Sequence, residues 1–275
     1  MMRPLSVITG TTHGIGRVTA RELARAGHQV VMLCRDVPLA QEVAAHIRAQ
    51  APAAAVEVIY CDLADLTSVR AAALEMREGH ESIDRLILNA GMAATTRRRD
   101  ARGMDLNFAV NHLGHFLLTE LLRDRLKSRG RIITVASRAH FRGRLDLDAV
   151  ADPRESIASM ASYARSKLAN VLHSFALARR LAGTGVTASC LHPGVIASNL
   201  LPRWVQFFQR YLRGQMLDEQ RGARTTLHLA LDADLEGSNG IYFDENARPQ
   251  AASALARDTA LQEALRQRSL QWVEA

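Results

Sequence analysis

Short apolar runs alternate with helix-like stretches along most of the chain, and this alternation constrains the fold more than any other feature. The runs are rich in Val, Ile and Leu, too short for helices and too continuous for strands with one face in water. They therefore predict strands that are buried on both faces. The runs lie at residues 5–9, 29–34, 56–60, 84–89, 131–136 and 186–191.

The stretches between these runs show the three-to-four-residue apolar period of amphipathic helices. They lie at residues 14–26, 38–49, 66–77, 103–127 and 163–182. This alternation predicts an α/β fold, a doubly wound parallel sheet of Rossmann type with helices on both faces. No linker or change in composition divides the 275 residues, so we expect one domain. After residue 192 the pattern is irregular and predicts a helix at 219–231, a strand at "GIYF" and a final helix.

Composition and the order of the first residues bound the class of protein. Nearly half of the residues are hydrophobic, which is enough for a sizeable core, and no apolar run reaches the length of a membrane span. The first apolar stretch begins at Leu5 and leaves no room for a signal peptide, so a cytoplasmic location is expected. The odd number of cysteines, Cys34, Cys61 and Cys190, favours buried thiols over disulfides or a zinc site.

The net charge of +7 raises the question of a nucleic-acid partner. The arginines are scattered through every segment, and no basic block with interleaved aromatic residues occurs, so we expect no nucleic-acid binding. The run Arg97, Arg98 and Arg99 is read as a solvated face. His112, His115 and His140 have irregular spacing and no accompanying cysteine or carboxylate cluster, so no metal site is expected.

A glycine-rich turn follows the first predicted strand directly. The stretch "TGTTHGIG" places Gly10, Gly14 and Gly16 between a strand and a helix, where the backbone approaches a pyrophosphate closely and the helix N-terminus faces the anion. The spacing differs from the common G-x-G-x-x-G fingerprint. A plain tight turn is the alternative, and the position in an alternating α/β chain favours the nucleotide site.

The residue just past the second strand of such folds meets the adenosine ribose, and here it is Arg35. A guanidinium binds a 2′-phosphate through paired, charge-assisted hydrogen bonds, which favours NADP over NAD. Asp36 complicates this prediction, although it also fits the N-cap of the following helix, which has Pro38 in its first turn. Arg17 and His13 could add positive potential, or could be solvated surface residues.

One of only two lysines in the chain lies in "SYARSKLANVL", residues 162–172. If this stretch is helical, Tyr163 and Lys167 share one face. Taken alone, the stretch is typical of an ordinary amphipathic helix whose exposed tyrosine and lysine have no function.

Seven motifs in order change that interpretation. The chain contains "TGTTHGIG", "CDL", "LNAG", "VNHLGHF", "VAS", "YARSK" and "HPGVIAS" between residue 5 and about residue 200. Together they resemble the short-chain dehydrogenase/reductase family in its short form. The variants "CRD", "VNHLGHFLLTELL", "HPGV" and "GIYF" look most like the retinol-dehydrogenase-like branch.

The resemblance implies a cofactor role for matching positions. The pyrophosphate turn would contain Gly10, Thr12, His13, Gly14, Ile15 and Gly16, with Arg35 beside the 2′-phosphate and Asp62 and Leu63 at the adenine. Asn89, Ala90 and Gly91 would run along the adenosine ribose, and Pro193, Gly194, Ile196 and Ser198 would lie beside the nicotinamide. Leu88 stands where the family often has a second asparagine, so less polar support is expected there.

The catalytic set implied by the resemblance is Asn111, Ser137, Tyr163 and Lys167. Hydride transfer builds negative charge on a carbonyl oxygen, so a proton donor must wait nearby, and Tyr163 is the candidate. Lys167 would lower the pKa of that phenol and hold the nicotinamide ribose. Ser137 would orient the substrate, and Asn111 would hold a water that passes protons to Lys167.

The substrate end is predicted at residues 196–218, where residues 200–213 combine apolar and arginine side chains. We interpret this region as an apolar lid for a lipophilic or aromatic ketone, aldehyde or alcohol. A core helix and a helix that contacts a membrane surface are the alternatives. Relatives in the retinol branch often carry an N-terminal anchor that is not evident here, so a retinoid substrate is not assumed.

A second class of function has the same fold, namely a non-catalytic NADP-binding redox sensor or regulator. Such proteins tend to lose the tyrosine and lysine, and this chain retains all four members of the set, which favours an enzyme. By analogy with the family, the helices at 103–127 and 163–182 are expected to pair across a two-fold axis in a dimer or tetramer.

Overall fold

One eight-stranded sheet forms the centre of the molecule. The structure is a computed structural model that describes residues 3–94, 98–151, 159–194 and 218–274. The strands are β1 Leu5–Thr9, β2 Gln29–Cys34, β3 Val56–Tyr60, β4 Ile83–Leu88, β5 Leu126–Val135, β6 Thr187–Leu191, β7 Tyr242–Phe243 and β8 Pro249–Gln250. Their order is β3-β2-β1-β4-β5-β6-β7-β8, and every pair is parallel except β7 with β8. The predicted doubly wound α/β fold is confirmed.

Helices connect the strands and cover both faces. They are α1 Gly14–Arg25, α2 Val37–Gln50, α3 Leu66–Gly79, α4 Leu106–Phe108, α5 Gly114–Leu122, α6 Leu147–Ala151, α7 Ser159–Arg180, α8 Glu219–Leu231 and α9 Thr259–Glu274. Asp36 and Asp65 cap α2 and α3 by accepting hydrogen bonds from backbone N–H groups. The predicted role of Asp36 as an N-cap is therefore confirmed.

Two hydrophobic layers enclose the sheet. The first contains residues of α3, α5, α7 and α9, including Met76, Phe116, Leu168 and Leu265. The second contains residues of α1, α2 and α8, including Leu23, Val43 and Leu229. Because the side chains of a strand alternate between faces, strands buried on both faces must be apolar throughout, as the continuous runs predicted.

The strand order reverses beside β1. The chain moves from β1 to β2 and β3 on one side and then crosses to β4 on the other side of β1. The loops that follow β1 and β4 therefore diverge and leave a crevice at the carboxyl edge of the sheet. Most of the predicted site residues follow strand ends at this edge.

The helical stretch predicted over residues 103–127 is present, but it is shorter and less regular than predicted. Asp105 accepts a hydrogen bond from the Phe108 N–H at 3.0 Å, so the helix begins only at Leu106. A π-helical turn, Ala109–Leu113, separates α4 from α5, and a 3₁₀ turn follows at Arg123–Arg125. The last residues of the predicted helix belong to β5, because Leu126 pairs with Ile83 of β4.

Strand β5 is longer than the predicted run at 131–136. It starts at Leu126 and contains a register irregularity opposite β4, with Arg129 in the left-handed region at φ 76°. The polar residues of this irregular half interrupt the apolar run, which is why the sequence pattern located only the regular half.

Helix α7 is buried on nearly every side. Its central residues, 164 to 178, are almost all buried, including the polar Asn170, His173 and Ser174. Helix α9 packs along it, with Arg179 of α7 hydrogen-bonded to Gln262 of α9. The chain's own last helix therefore covers part of α7, one of the two helices expected to pair with a second copy.

Among the described helices, none is both long enough and apolar enough to cross a membrane. The predicted lid at 196–218 and the apolar segment 200–213 lie outside the described residues, apart from Asp218, which caps α8.

Candidate active site

The phosphate turn is built on close backbone approach. Gly10 follows β1 with φ 70°, and a Cβ atom there would lie 2.8 Å from the Cα of Ala90. Gly16, in the first turn of α1, packs against the carbonyl of Gly10 and the amide of Asn89 so closely that no side chain fits. Helix α1 begins at Gly14 with no side-chain cap and no acidic residue in its first turn. Its first N–H groups therefore suit an anion.

Thr9 and Asn89 hold this turn against the end of β4. The hydroxyl of Thr9 accepts hydrogen bonds from the backbone N–H groups of Asn89 at 3.0 Å and Ala90 at 2.9 Å. The Asn89 amide donates to the carbonyls of Thr9 at 2.9 Å and Gly10 at 3.1 Å. Asn89 thus positions the turn that would bind the cofactor through both donor hydrogens of its side-chain amide.

Sequence reasoning missed Thr9 and assigned His115 only to packing or the surface. With its hydroxyl oxygen already accepting two bonds, Thr9 donates its proton to Nε2 of His115 at 2.8 Å. His115 therefore carries its proton on Nδ1 and donates to the carbonyl of Asn111 at 3.1 Å. Burial lowers the pKa of His115 to about 3, so the ring is neutral. In the sequence, the one feature that pointed to this role of Thr9 was its position directly before the glycine turn.

Arg35 and Asp36 have different environments past β2. The Arg35 side chain is exposed and has no hydrogen bond or ion pair with the described residues. The Asp36 carboxylate accepts from the N–H of Leu39 at 3.1 Å. Arg17, in contrast, pairs with Glu219 at 2.8 Å, so its charge is partly compensated. Asp62 and Leu63 follow β3, where Asp62 accepts from the N–H of Ala64 at 3.0 Å.

Lys167 is buried beneath the crevice. Its Nζ donates to the carbonyl of Val135, the last residue of β5, at 3.0 Å, and lies 5.8 Å from the centroid of the Tyr163 ring. Burial lowers the pKa of Lys167 to about 8. A Cβ atom on Gly91 would lie 3.2 Å from Nζ and 3.4 Å from Oδ1 of Asn111, so Gly91 is in contact with both side chains.

Tyr163 and Ser137 meet at the same place. A hydrogen bond with the Ser137 side chain lowers the pKa of Tyr163, but burial raises it more, so the phenol titrates above its usual value. That Lys167 lowers the pKa of this phenol stays a prediction. Ser137 follows the end of β5, and its hydroxyl also accepts from the N–H of Ala139 at 3.2 Å.

Asn111 lies in the π-helical turn with both side-chain atoms bonded. Its amide donates to the carbonyl of Met92 and the hydroxyl of Ser166, each at 2.9 Å, and its Oδ1 accepts from the N–H of Met92 at 2.8 Å. These contacts join the loop after β4 to α7. The amide group is therefore occupied by protein partners, although Oδ1 retains a lone pair that faces Gly91.

Pro193 and Gly194 follow β6 at the same edge of the sheet. The backbone N–H of Gly194 donates to Nδ1 of His192 at 3.2 Å. Ile196 and Ser198, predicted for the same loop, lie outside the described residues. Thr12 and His13 lie in the turn that leads into α1, and Ile15 lies in the first turn of that helix.

The two other histidines considered as metal ligands, His112 and His140, have structural partners. His112 bonds to Ser269 at 3.0 Å, and His140 bonds to the carbonyl of Ser137 at 2.8 Å. Among the described residues, no group of three or more His, Cys, Asp or Glu side chains is arranged to hold a metal ion. Cys34, Cys61 and Cys190 are buried free thiols, and burial raises the pKa of each.

The chain resembles known proteins along most of its length. The family model described as short chain dehydrogenase matches residues 5–207. Retinol dehydrogenase 12 of Mus musculus is 40% identical over 90% of this chain and 79% of its own length. Retinol dehydrogenase 14 of Homo sapiens is 38% identical over 87% of this chain and 77% of its own length.

Solved structures show the same architecture. An uncharacterized protein from Mycobacterium paratuberculosis superposes with a TM-score of 0.81 at 34% identity, covering 99% of this chain and 94% of its own. A short-chain dehydrogenase from Burkholderia cenocepacia, solved in complex with NADP, gives a TM-score of 0.72 at 25% identity, covering 88% of this chain and 95% of its own.

Proposed function

The chain belongs to the short-chain dehydrogenase family, and on that premise we propose that it is an NADP(H)-dependent oxidoreductase that interconverts a carbonyl and an alcohol. Its similarity to retinol dehydrogenases confirms the predicted family and the retinol-dehydrogenase-like branch, whose members act on alcohol and carbonyl groups. The finer proposals concern the cofactor, the catalytic residues and the substrate.

One observation carries the proposal. Four side chains from three segments converge at the carboxyl edge of the sheet: Ser137 is bonded to Tyr163, Lys167 lies 5.8 Å from the centroid of the tyrosine ring, and Gly91 lies against both Lys167 and Asn111. A dinucleotide sensor has no need of a hydroxyl pair with a buried ammonium beneath it. The enzyme is therefore favoured over the regulator.

Tyr163 is proposed as the proton donor and acceptor. When bound, the nicotinamide supplies or accepts the hydride. Because burial raises the pKa of Tyr163, its phenol is protonated at neutral pH and suits donation to the oxygen of a carbonyl substrate. Ser137 orients that oxygen, and Lys167 uses one donor on Val135 while retaining others for the cofactor ribose. Asn111 fixes the loop that carries Gly91 and is proposed to hold a water near Lys167.

The proposed cofactor contacts are those predicted from the sequence motifs. Gly10, Gly14 and Gly16 with the N-terminus of α1 would hold the pyrophosphate, since a close-packed glycine turn leaves room only for backbone. Arg35 is exposed and free to bind a 2′-phosphate, while Asp36 is engaged as a cap. The NADP complex of a structural relative supports the same cofactor.

The proposed substrate is a lipophilic or aromatic aldehyde, ketone or alcohol. Two observations support it: the similarity of the chain to retinol dehydrogenases and the apolar composition of residues 200–213. Retinal therefore enters the first substrate panel together with simpler aromatic aldehydes and aliphatic ketones.

Location and assembly are separate proposals. A cytoplasmic location stays a proposal, with peripheral membrane contact through residues 200–213 as its alternative. A homo-oligomer is proposed by analogy with the family. Because α9 covers α7, that oligomer would use another surface.

The experiment that tests the proposed reaction compares the protein with its Tyr163→Phe variant. Oxidation of NADPH is followed against the substrate panel, and binding of NADPH is followed by nicotinamide fluorescence. We expect turnover to fall at least about a hundredfold, because the phenylalanine has no proton to give, while NADPH binding stays within about twofold.

Phe175→Tyr on the same helix is the matched control, since it changes one ring hydroxyl far from the crevice. Equal turnover by Tyr163→Phe would contradict the assignment of the proton donor. NADPH binding without turnover of any substrate would favour the regulator.

A further inference from the structure

His192 is a buried histidine, about 2% exposed, that directly precedes the Pro193–Gly194 loop. Its Nδ1 accepts a hydrogen bond from the backbone N–H of Gly194 at 3.2 Å. A backbone N–H can only donate, so Nδ1 must be unprotonated and the ring proton must be on Nε2. Nε2 lies 3.1 Å from the carboxylate oxygen Oε2 of Glu245, which accepts that proton's hydrogen bond.

Glu245 therefore selects the tautomer that His192 needs. The opposite tautomer would place a proton on Nδ1 against the N–H of Gly194, and two donors would face each other. Glu245 lies in the turn between β7 and β8, next to a strand that is already fixed to β6, because the N–H of His192 donates to the carbonyl of Phe243 at 3.0 Å. The carboxylate is thus held on a rigid element.

The same short strand also supports the catalytic edge. The ring of Tyr242 lies between His192, at 5.8 Å between ring centroids, and His140, at 4.8 Å. His140 in turn bonds to the carbonyl of Ser137 at 2.8 Å. One packed layer therefore joins the loop after β6 to the serine that meets Tyr163.

Burial favours the neutral form of His192. Burial lowers its pKa most, Arg138 lowers it further, and Glu245 and Asp244 raise it, with a net lowering from the usual value. The neutral ring is the form that accepts from Gly194.

We propose that Glu245 and His192 are positioning residues that fix the backbone of Gly194 for the nicotinamide half of the cofactor. The inference rests on the proposed function, which places this loop beside the nicotinamide. It adds a carboxylate outside the motif region that, among the described residues, acts on the loop through the histidine.

The test measures binding of two probes, NADPH and 2′,5′-ADP, which shares the adenosine half and lacks the nicotinamide. We expect Glu245→Ala to weaken NADPH binding about fivefold and to leave 2′,5′-ADP binding unchanged, since one hydrogen bond that orients the loop is lost at the nicotinamide end. Glu57→Ala is the matched control, because it breaks another glutamate–histidine pair, with His80 at 2.9 Å, at the far edge of the sheet.

His192→Asn provides the second arm. An asparagine oxygen accepts the N–H two residues ahead in an Asx turn, so this variant keeps the Gly194 bond and loses the link to Glu245. We expect His192→Asn to bind NADPH nearly as well as the unsubstituted protein, and Glu245→Ala to have no further effect in that background.

The inference is overturned if Glu245→Ala weakens both probes equally, weakens neither, or has the same effect with Asn at position 192. Failure of the unsubstituted protein to bind NADPH at all would overturn the proposed function and this inference together. Normal NADPH binding that is indifferent to Glu245 would overturn this inference alone.

Discussion

Individual hydroxyl and charged groups decide how the crevice is held. Thr9 is the clearest case, because its one hydroxyl serves two backbone N–H groups and one imidazole nitrogen. A buried donor or acceptor that loses its partner costs more free energy than the bond contributes on average. Residues of this kind position the site without any contact with substrate. At this scale, Thr9 and Arg35 each give a testable prediction.

Thr9→Val is expected to destabilise the fold by about 2 to 4 kcal/mol, because the two N–H groups and Nε2 of His115 are left without partners. The matched control is Thr19→Val in α1, which is equally buried and whose hydroxyl has no hydrogen-bond partner among the described residues. That change should be neutral or slightly stabilising. Urea unfolding of both variants measures the difference, and equal costs would contradict the role of Thr9.

Arg35→Asp is expected to weaken NADPH binding at least about tenfold and to leave NADH binding unchanged or improved, because the carboxylate repels a 2′-phosphate and accepts from ribose hydroxyls. Nicotinamide fluorescence titrations with both cofactors measure the ratio. Asp36→Asn is the control, since the amide oxygen still caps α2 and the ratio should hardly change. A ratio that Arg35→Asp does not alter would refute the proposed NADP preference.

At the scale of elements, the contact of the π-helical turn and α5 with α7 and α9 has an unusual composition. His112, His115 and His173 are all buried there, and burial lowers the pKa of each, to about 3 for His115 and about 4 for His173. Phe116 packs against the rings of His112 and His173 at 5.9 and 5.1 Å between centroids. The three imidazoles are neutral in the folded protein.

This burial predicts acid sensitivity. A histidine titrates near about 6.5 in the unfolded chain and lower in the fold, so the unfolded state binds more protons as the pH falls. Stability is full above about pH 6.5 and is lost as the pH falls toward about 4, by up to about 1.4 kcal/mol per pH unit for each histidine. His173→Gln should flatten this slope and exposed His46→Gln should not, as urea unfolding between pH 7.5 and 5 would measure. Equal slopes in all three proteins would contradict the prediction.

At the scale of the whole molecule, the site exists because the strand order reverses at β1. The ends of β1, β4, β5 and β6 meet at one edge, and the residues that follow them come from four distant parts of the chain. The last helix then closes over α7, with Trp272 against Phe108 at 5.6 Å between ring centroids. This closure makes α9 part of the support of the π-helical turn that carries Asn111.

A prediction about assembly follows from this closure. If the protein is a homo-oligomer through a surface other than α7, its mass by light scattering is a multiple of 30.2 kDa, and loosening α9 with Trp272→Ala leaves that mass unchanged. The melting temperature should fall, because a packed aromatic contact is lost. A monomer, or a mass that rises in the variant, would contradict the proposed assembly.

The sequence by itself determined the fold class and most of its elements. The ends of β1, β2 and β3, and the whole of α8, lie where the apolar patterns predicted, because hydrophobic period and caps such as Asp36 are local properties of the chain. Motifs could likewise be recognised in the sequence, since each requires particular residue types at short spacing. They carry Tyr163, Lys167, Ser137 and the glycine turn.

Only the tertiary structure decided what depends on distant partners. The π-helical turn at Asn111, the irregular start of β5 and the covering of α7 by α9 each follow from contacts with other elements. The raised pKa of Tyr163 arises from burial. The pairing of His192 with Glu245 joins residues that are more than 50 positions apart in the sequence. A sequence pattern reports local preference, whereas burial and tautomer are set by the surroundings that folding brings together.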